Sequence, residues 1–211
     1  MGEGTGALPT ARTRQGWHLV AGGLIGLVTV AVLLIAAGAF DPQPLGSLIQ
    51  TDRPGPHTLN HTGETLIPAV TPWPDGSLPQ RFSARLKAAY REGELDSGFG
   101  LTLENGSSRL VIALSPLGYA AIRQDRANSQ PIYLLPWQPW PHVRLDAAEN
   151  ELWLDVDRSD GGQTALTVWI NRELLWRGEL DETPDRISLW LSTYGAPVVV
   201  DFRSLEWFAA P

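Results

Sequence analysis

Carboxylates recur at alternate positions in Glu151-Leu-Trp-Leu-Asp155-Val-Asp157. Alternate residues of a strand share a face. Glu151, Asp155 and Asp157 therefore point one way, and Leu152, Leu154 and Val156 the other. Two carboxylates about 5 Å apart can cleave a glycosidic bond with retention. The compact Glu-x-Asp-x-x-Glu arrangement that sets two so close on one strand is missing. The plainer reading is a solvated outer face over an apolar inner one. Further on, Asp155, Asp157 and Asp160 precede Gly161-Gly162 and offer hard oxygen ligands of the kind Ca2+ takes. The regular spacing of an EF-hand is absent, and Arg158 sits among them. The same residues also suit a polar hairpin turn. The four histidines are 18, 57, 61 and 142. Only His142 falls among the strand-like segments, directly after Pro141, and no Gly-x-Ser-x-Gly occurs.

A second constellation is aromatic. On the parity opposite the Leu/Val/Ile residues lie Trp153, Trp169 and Trp190, with Asn171 and several Asp, Thr and Ser near them in sequence. An indole stacks on the apolar face of a sugar ring, and Asn or Asp beside it bonds the hydroxyls. Trp anchors serve protein interfaces equally well. Rings covered on both faces would be packing alone. Those three readings stay open at this point. Trp137-Gln-Pro-Trp140 is a further aromatic pair, placed in a loop, where recognition residues concentrate.

The elements that must position these groups are short strands. From Gln80 onward, runs with period two recur: Phe82–Leu86, Phe99–Leu103, Leu110–Leu114, Gly118–Ile122, Val143–Leu145, Glu151–Val156, Ala165–Ile170, Leu174–Leu180, Ile187–Leu191 and Val198–Phe202. Alternation over short runs broken by Gly, Pro, Asn and Asp predicts an antiparallel β protein. Asn105-Gly106 is a two-residue hairpin turn. The expected fold is mainly β, an antiparallel two-sheet sandwich over residues 79–211.

Upstream, Leu19–Phe40 is uncharged and apolar for 22 residues, about 33 Å as a helix, enough for a bilayer core of about 30 Å. The sequence thus predicts a transmembrane helix over 17–40. Arg12 and Arg14 before it and Asp41 after it put the tail 1–16 in the cytoplasm and the rest outside the plasma membrane. Ala37-Gly38-Ala39 would suit a signal-peptidase site if the run were cleaved. Gly22 and Gly26 form a GxxxG that lets two helices approach. Residues 41–78 hold seven prolines, at 42, 44, 54, 56, 68, 72 and 74, and read as an extended tether, with Thr65–Val70 as a candidate edge strand.

Composition narrows the function. The chain has 211 residues with 43% hydrophobic and 18% charged residues, no Cys, and a formal charge of −7. A thiol nucleophile, a disulfide scaffold and Cys-bound zinc are excluded, and the acidic balance speaks against nucleic acid.

The segments SGFGLTLENGSSRLVIALSPLGYAAIRQ, HVRLDAAENELWLDVDRSDGGQTALTVWINRELLWRGEL and RISLWLSTYGAPVVVDFRSLEWF together resemble a concanavalin A-like (laminin-G-like) jelly roll, and within it the 3-keto-disaccharide-hydrolase-like group. The resemblance covers about residues 79–208 as a pattern of strands and turns. It implies a two-sheet jelly roll that recognises glycans or proteins, with calcium near a sheet rim in many members and glycoside cleavage in a minority. Without a complete catalytic signature, the expected function is non-catalytic recognition of a glycan or protein partner at the outer membrane face. Two alternatives remain open: an accessory subunit of a larger membrane complex, and a glycan-processing hydrolase.

Overall fold

The computed structural model describes residues 12–36, 38–39, 41–73, 76–106, 108–158, 163–195 and 197–209, with side chains from Leu24 onward. The chain divides into two units, residues 1–42 and 43–211.

The described residues of the first unit include one helix, α1 (Arg12–Ala36). Its apolar side chains from Leu24 to Ile35 are exposed. Among the described residues no helix is long and apolar enough to cross a membrane. The expected span over 17–40 is therefore not supported by them. The side chains of 17–23 and residues 37 and 40 lie outside the described set, and Gly22 of the GxxxG pair is described only as part of the helix backbone. Around Gly26 an added Cβ would meet nothing within 4 Å.

The second unit is a sandwich of two antiparallel sheets. One contains β1 (Ser47–Asp52), β2 (Gly55–Leu59), β4 (Arg81–Gly93), β9 (Asn150–Arg158), β10 (Thr164–Ile170), β11 (Glu173–Leu180) and β13 (Val198–Ala209). Its order is β1-β13-β4-β9-β10-β11, with β2 also paired to β13. The other runs β3-β12-β5-β6-β7-β8, formed by β3 (Gly63–Pro68), β12 (Arg186–Thr193), β5 (Ser97–Asn105), β6 (Ser108–Leu114), β7 (Tyr119–Arg126) and β8 (Ile132–Pro139). The mainly β, two-sheet antiparallel architecture is the one the alternation predicts.

Parity builds the core. Phe82, Ala84, Leu86 and Ala88 of β4 and Leu152, Leu154 and Val156 of β9 are buried between the sheets. They face Phe99, Leu101 and Leu103 of β5 and Ile187, Leu189 and Leu191 of β12 in the same cluster. Each buried Leu or Ile of this kind contributes roughly 1.5–3 kcal/mol through removal from water.

Three expectations are corrected here. Residues 41–78 are not a tether throughout, because 47–68 supplies β1, β2 and β3, which join both sheets. Proline hid them. Pro54 lies between β1 and β2, and Pro56 lies in β2, a strand paired only to β13. Edge strands tolerate a residue that cannot donate to the ladder. Val143–Leu145 forms no strand; Val143 is buried in a turn whose backbone nitrogen donates to the Trp140 carbonyl. Finally, Trp137 lies in β8 rather than in a loop, its strand obscured by Pro136 and Pro139.

Candidate functional site

The two sheets each have an outer face, and the predicted tryptophans divide between them. Trp153 and Trp169 are directly paired across β9 and β10, on the outer face of the seven-stranded sheet. Their ring centroids are 5.7 Å apart. Both indole Nε1 groups donate to Asp155, at 2.6 and 2.9 Å, and Ser83 Oγ donates to the same carboxylate at 2.6 Å. The Leu45 backbone nitrogen in turn donates to Ser83 Oγ. Trp153 is only 1% exposed, so its ring presents no face on which a sugar could stack. This cluster locks strands together.

Burial pushes the Asp155 carboxyl above the usual Asp value, and the hydrogen bonds from Ser83, Trp169 and Trp153 pull back only part of that rise. The folded state therefore holds this proton more tightly than the unfolded chain. Such a group contributes stability fully below the unfolded value of about 3.9 and loses it as pH rises through the folded pKa. We expect the stability difference between the protein and Asp155→Asn, from urea unfolding, to shrink as pH is raised from about 4 towards neutrality. A difference that grew with pH over this range would mean that Asp155 titrates below its usual value.

The other predicted ligands are also placed. Asn171 occupies the β10–β11 turn with φ 50°, followed by Arg172 at 73°, the left-handed pair a two-residue hairpin needs. Its side chain accepts from the Glu151 backbone nitrogen at 2.9 Å and donates to the His142 carbonyl at 2.6 Å and to Asn150 Oδ1 at 2.8 Å. These bonds occupy it in holding the turn. Of the candidate calcium ligands, Asp155 accepts the three bonds above, Asp157 pairs with Arg81 at 3.1 Å, and Asp160 lies outside the described residues. Among the described residues no group of three His, Asp or Glu could hold a metal ion.

Trp190 lies on the opposite outer face, that of the six-stranded sheet. It is 2% exposed and packs with Val111, Ala113, Leu66 and Trp137. A Cβ on Gly98 would come within 2.8 and 3.0 Å of its ring carbons, so glycine there makes room for the indole. Trp190 Nε1 donates to Glu64 at 2.9 Å. Glu64 also receives Arg123 at 2.6 Å and Arg109 at 3.2 Å, and both arginines bond Asp125. The Arg123 guanidinium sits 5.9 Å from the centroid of the Trp190 ring, within cation–π range. Burial acts to lower the Arg123 pKa, but bonds to Asp125 and Glu64 outweigh it and hold the group above its usual value.

Beside this network the surface opens into a cleft of about 500 Å³. Asp96, Ser97 and Gly98 line it from the start of β5, Ser115, Leu117 and Tyr119 from the β6–β7 turn, Trp137 from β8, and Tyr194 from the end of β12. A smaller hollow of about 150 Å³ adjoins it, lined by Glu64, Arg123 and Trp190 and sharing Trp137 and Tyr194 as walls. The walls are anchored. Tyr194 N donates to the Asp96 carbonyl at 3.1 Å, Ser115 N to the Tyr119 carbonyl at 2.9 Å, and Trp140 N to the Gly118 carbonyl at 2.9 Å. Gly118 has φ 86°, a conformation an L side chain resists. The side chains of Asp96, Tyr119, Trp137 and Tyr194 have no hydrogen-bond or ion-pair partner among the described residues.

This cleft is the candidate site, with three aromatic rings and several unengaged polar groups in one concavity. Sequence reading reached Trp137 as a loop aromatic and Trp190 as a neighbour of the wrong tryptophans. It missed Asp96, Ser97, Tyr119 and Tyr194, which lie at strand ends far apart in the chain. The one local signal was that each stands beside a glycine or a turn, where side chains cluster at the rim of a sheet.

No protein-family model matches the chain, and no curated protein is similar to it. Among solved structures the chain is similar to the GH43 protein BlXynB from Bacillus licheniformis, at TM-score 0.45 and 10% identity over 62% of this chain and 28% of that one. It is also similar to a structure described as "Cell entry of botulinum neurotoxin type C is dependent upon interaction with two ganglioside molecules", at TM-score 0.46 and 11% identity over 80% and 42%. The carbohydrate-binding module CBM66 from Bacillus subtilis matches at TM-score 0.43 and 8% identity over 76% and 91%. This chain spans less than half the length of the first two.

Proposed function

We propose that residues 43–211 are a non-catalytic recognition domain whose cleft on the six-stranded sheet takes a glycan, and that the apolar run 19–40 holds it at a membrane. The observation that carries the glycan reading is the cleft of about 500 Å³ walled by Trp137, Tyr119 and Tyr194, with polar groups left over for a ligand. Concave sites of roughly 300–1,000 Å³ suit small ligands, whereas most protein interfaces are flatter and larger. Aromatic faces with hydroxyl, indole N–H and carboxylate groups match the mixed surface of a sugar ring. Binding is favoured over hydrolysis because, of the two carboxylates lining the paired hollows, Glu64 is engaged by Trp190 and two arginines. Glycoside cleavage needs two working carboxyl groups, and that leaves Asp96 alone.

The test is a panel of immobilised glycans probed with the full chain in a detergent lacking a sugar headgroup. Binding to at least one glycan supports the reading. Failure to bind any, with a protein shown to be folded, refutes it.

A protein partner is the second reading. It draws on Ile132, Tyr133 and Leu134, three successive exposed apolar residues on the edge strand β8. Stoichiometric co-purification with no sugar affinity would favour it.

Support for anchoring comes from the uncharged 22-residue run and from the exposed apolar side chains of α1, since an all-round apolar helix needs an apolar surrounding. We expect the full chain to stay with the membrane pellet through an alkaline carbonate wash. Release into the supernatant would remove the anchor from this proposal.

A further inference from the structure

We propose that the cleft selects an uncharged, hydroxyl-rich sugar end and rejects anionic sugars, with Asp96 accepting from a sugar hydroxyl; this rests on the glycan reading above. The first observation is which polar group the cleft leaves for a ligand. Ser97 lines it but is only 4% exposed. Its Oγ is buried with no hydrogen-bond partner. By parity with Phe99 its side chain belongs to the inward face of β5, so only its backbone borders the cleft, and the polar group left there for a ligand is Asp96.

The second observation is the charge of the cleft. Asp96 is its one charged lining residue, and its side chain has no partner among the described residues. Behind it, Glu94 Oε1 accepts the Asp96 backbone nitrogen at 2.9 Å and adds a second negative charge close by. The cation of the adjoining hollow, Arg123, is held by Glu64 and Asp125. A ligand carboxylate or sulfate would thus meet negative charge without a compensating cation. A neutral ring meets at Asp96 an acceptor for its hydroxyls. The volume of about 500 Å³ suits a ring rather than a lone ammonium group, which is why a neutral sugar is inferred in preference to a cation.

The experiment uses the full chain in a detergent without sugar headgroups. Its probes are immobilised neutral oligosaccharides of gluco, manno and galacto configuration, the matching uronic-acid oligomers, and the matching amino-sugar oligomers. The expected result is binding to at least one neutral series and about tenfold or weaker binding to its uronic counterpart. Asp96→Asn should weaken neutral binding about tenfold, as loss of a charge-assisted hydrogen bond would, and narrow the gap to the uronic series.

Stronger binding of uronic or amino-sugar oligomers than of neutral ones would overturn the inference. So would an Asp96→Asn variant that binds unchanged while Trp137→Ala does not bind, and the glycan reading would then survive alone. If the wild-type chain binds no probe, the glycan reading fails and this inference falls with it.

Discussion

Replacing Trp137 by Ala is expected to lower sugar affinity about 30-fold, equivalent to about 2 kcal/mol, the loss typical of a central Trp anchor. Trp137 is the wall shared by the large cleft and the smaller hollow. Its removal therefore opens both at once and deletes both a stacking face and an N–H donor. Because Trp137 also packs partly against Trp190, some loss of stability will accompany the change. Tyr194→Ala separates the two effects. Tyr194 is 65% exposed, so its truncation should leave the fold intact and still reduce affinity severalfold. Glycan binding measured for both variants checks the site. If Trp137→Ala retains affinity within threefold, the cleft is not where sugar binds.

The largest effect on stability is expected at Trp207. This residue is wholly buried, its ring 5.5 Å from that of Trp73 and 6.5 Å from that of Phe82. Its Nε1 donates to Asp52 at 3.1 Å, and Gln50 donates to the other oxygen of that carboxylate. Trp207→Ala should cost about 3–5 kcal/mol, combining lost transfer energy with a cavity between the sheets. It also takes a hydrogen bond from Asp52 on β1. The thermal midpoint should drop by about 10 °C or more for a domain of this size. Trp207→Phe, which keeps a ring and loses the N–H, should fall between the two. Denaturant unfolding gives the values directly, and a loss under 1 kcal/mol for the Ala variant would mean that the site collapses around the missing ring.

The same residue illustrates how much could be read in advance. Trp207 lies beyond Val198–Phe202, the run that alternation marks, and a register shift between Phe202 and Ser204 is what turns Leu205, Trp207 and Ala209 inward. Its partner Asp52 was no more legible. β1 lies in a proline-rich stretch with no sustained alternation, and it becomes a strand because β13 offers it an edge: Leu48 pairs with Phe208 and Thr51 with Glu206. Tertiary pairing there overrides weak local propensity. β8 behaves likewise. Pro136 and Pro139 interrupt its pattern, yet β7 pairs with it through a register shift around Leu135, and that irregular strand carries Trp137.

The candidate site was legible only in fragments. Parity placed Trp153, Trp169 and Trp190 outside the core of their own strands. Asp155 then proved to be the acceptor that binds the first two indoles together, while Trp190, on the other sheet, found its acceptor in Glu64 of the neighbouring strand β3.

By itself the sequence determined the strand content, the inward parity of most core residues, the absence of thiol chemistry, and the apolar run at residues 19–40. These are local or compositional properties, set by side-chain alternation along a strand or by residue type. Tertiary structure alone decided which sheet each strand joins, which aromatic rings are covered, and that Asp96, Ser97, Tyr119, Trp137 and Tyr194 share one cleft. Parity is defined within a strand and carries no label for the sheet, and the cleft is assembled from strand ends brought together only by the pairing of β12, β5, β6, β7 and β8.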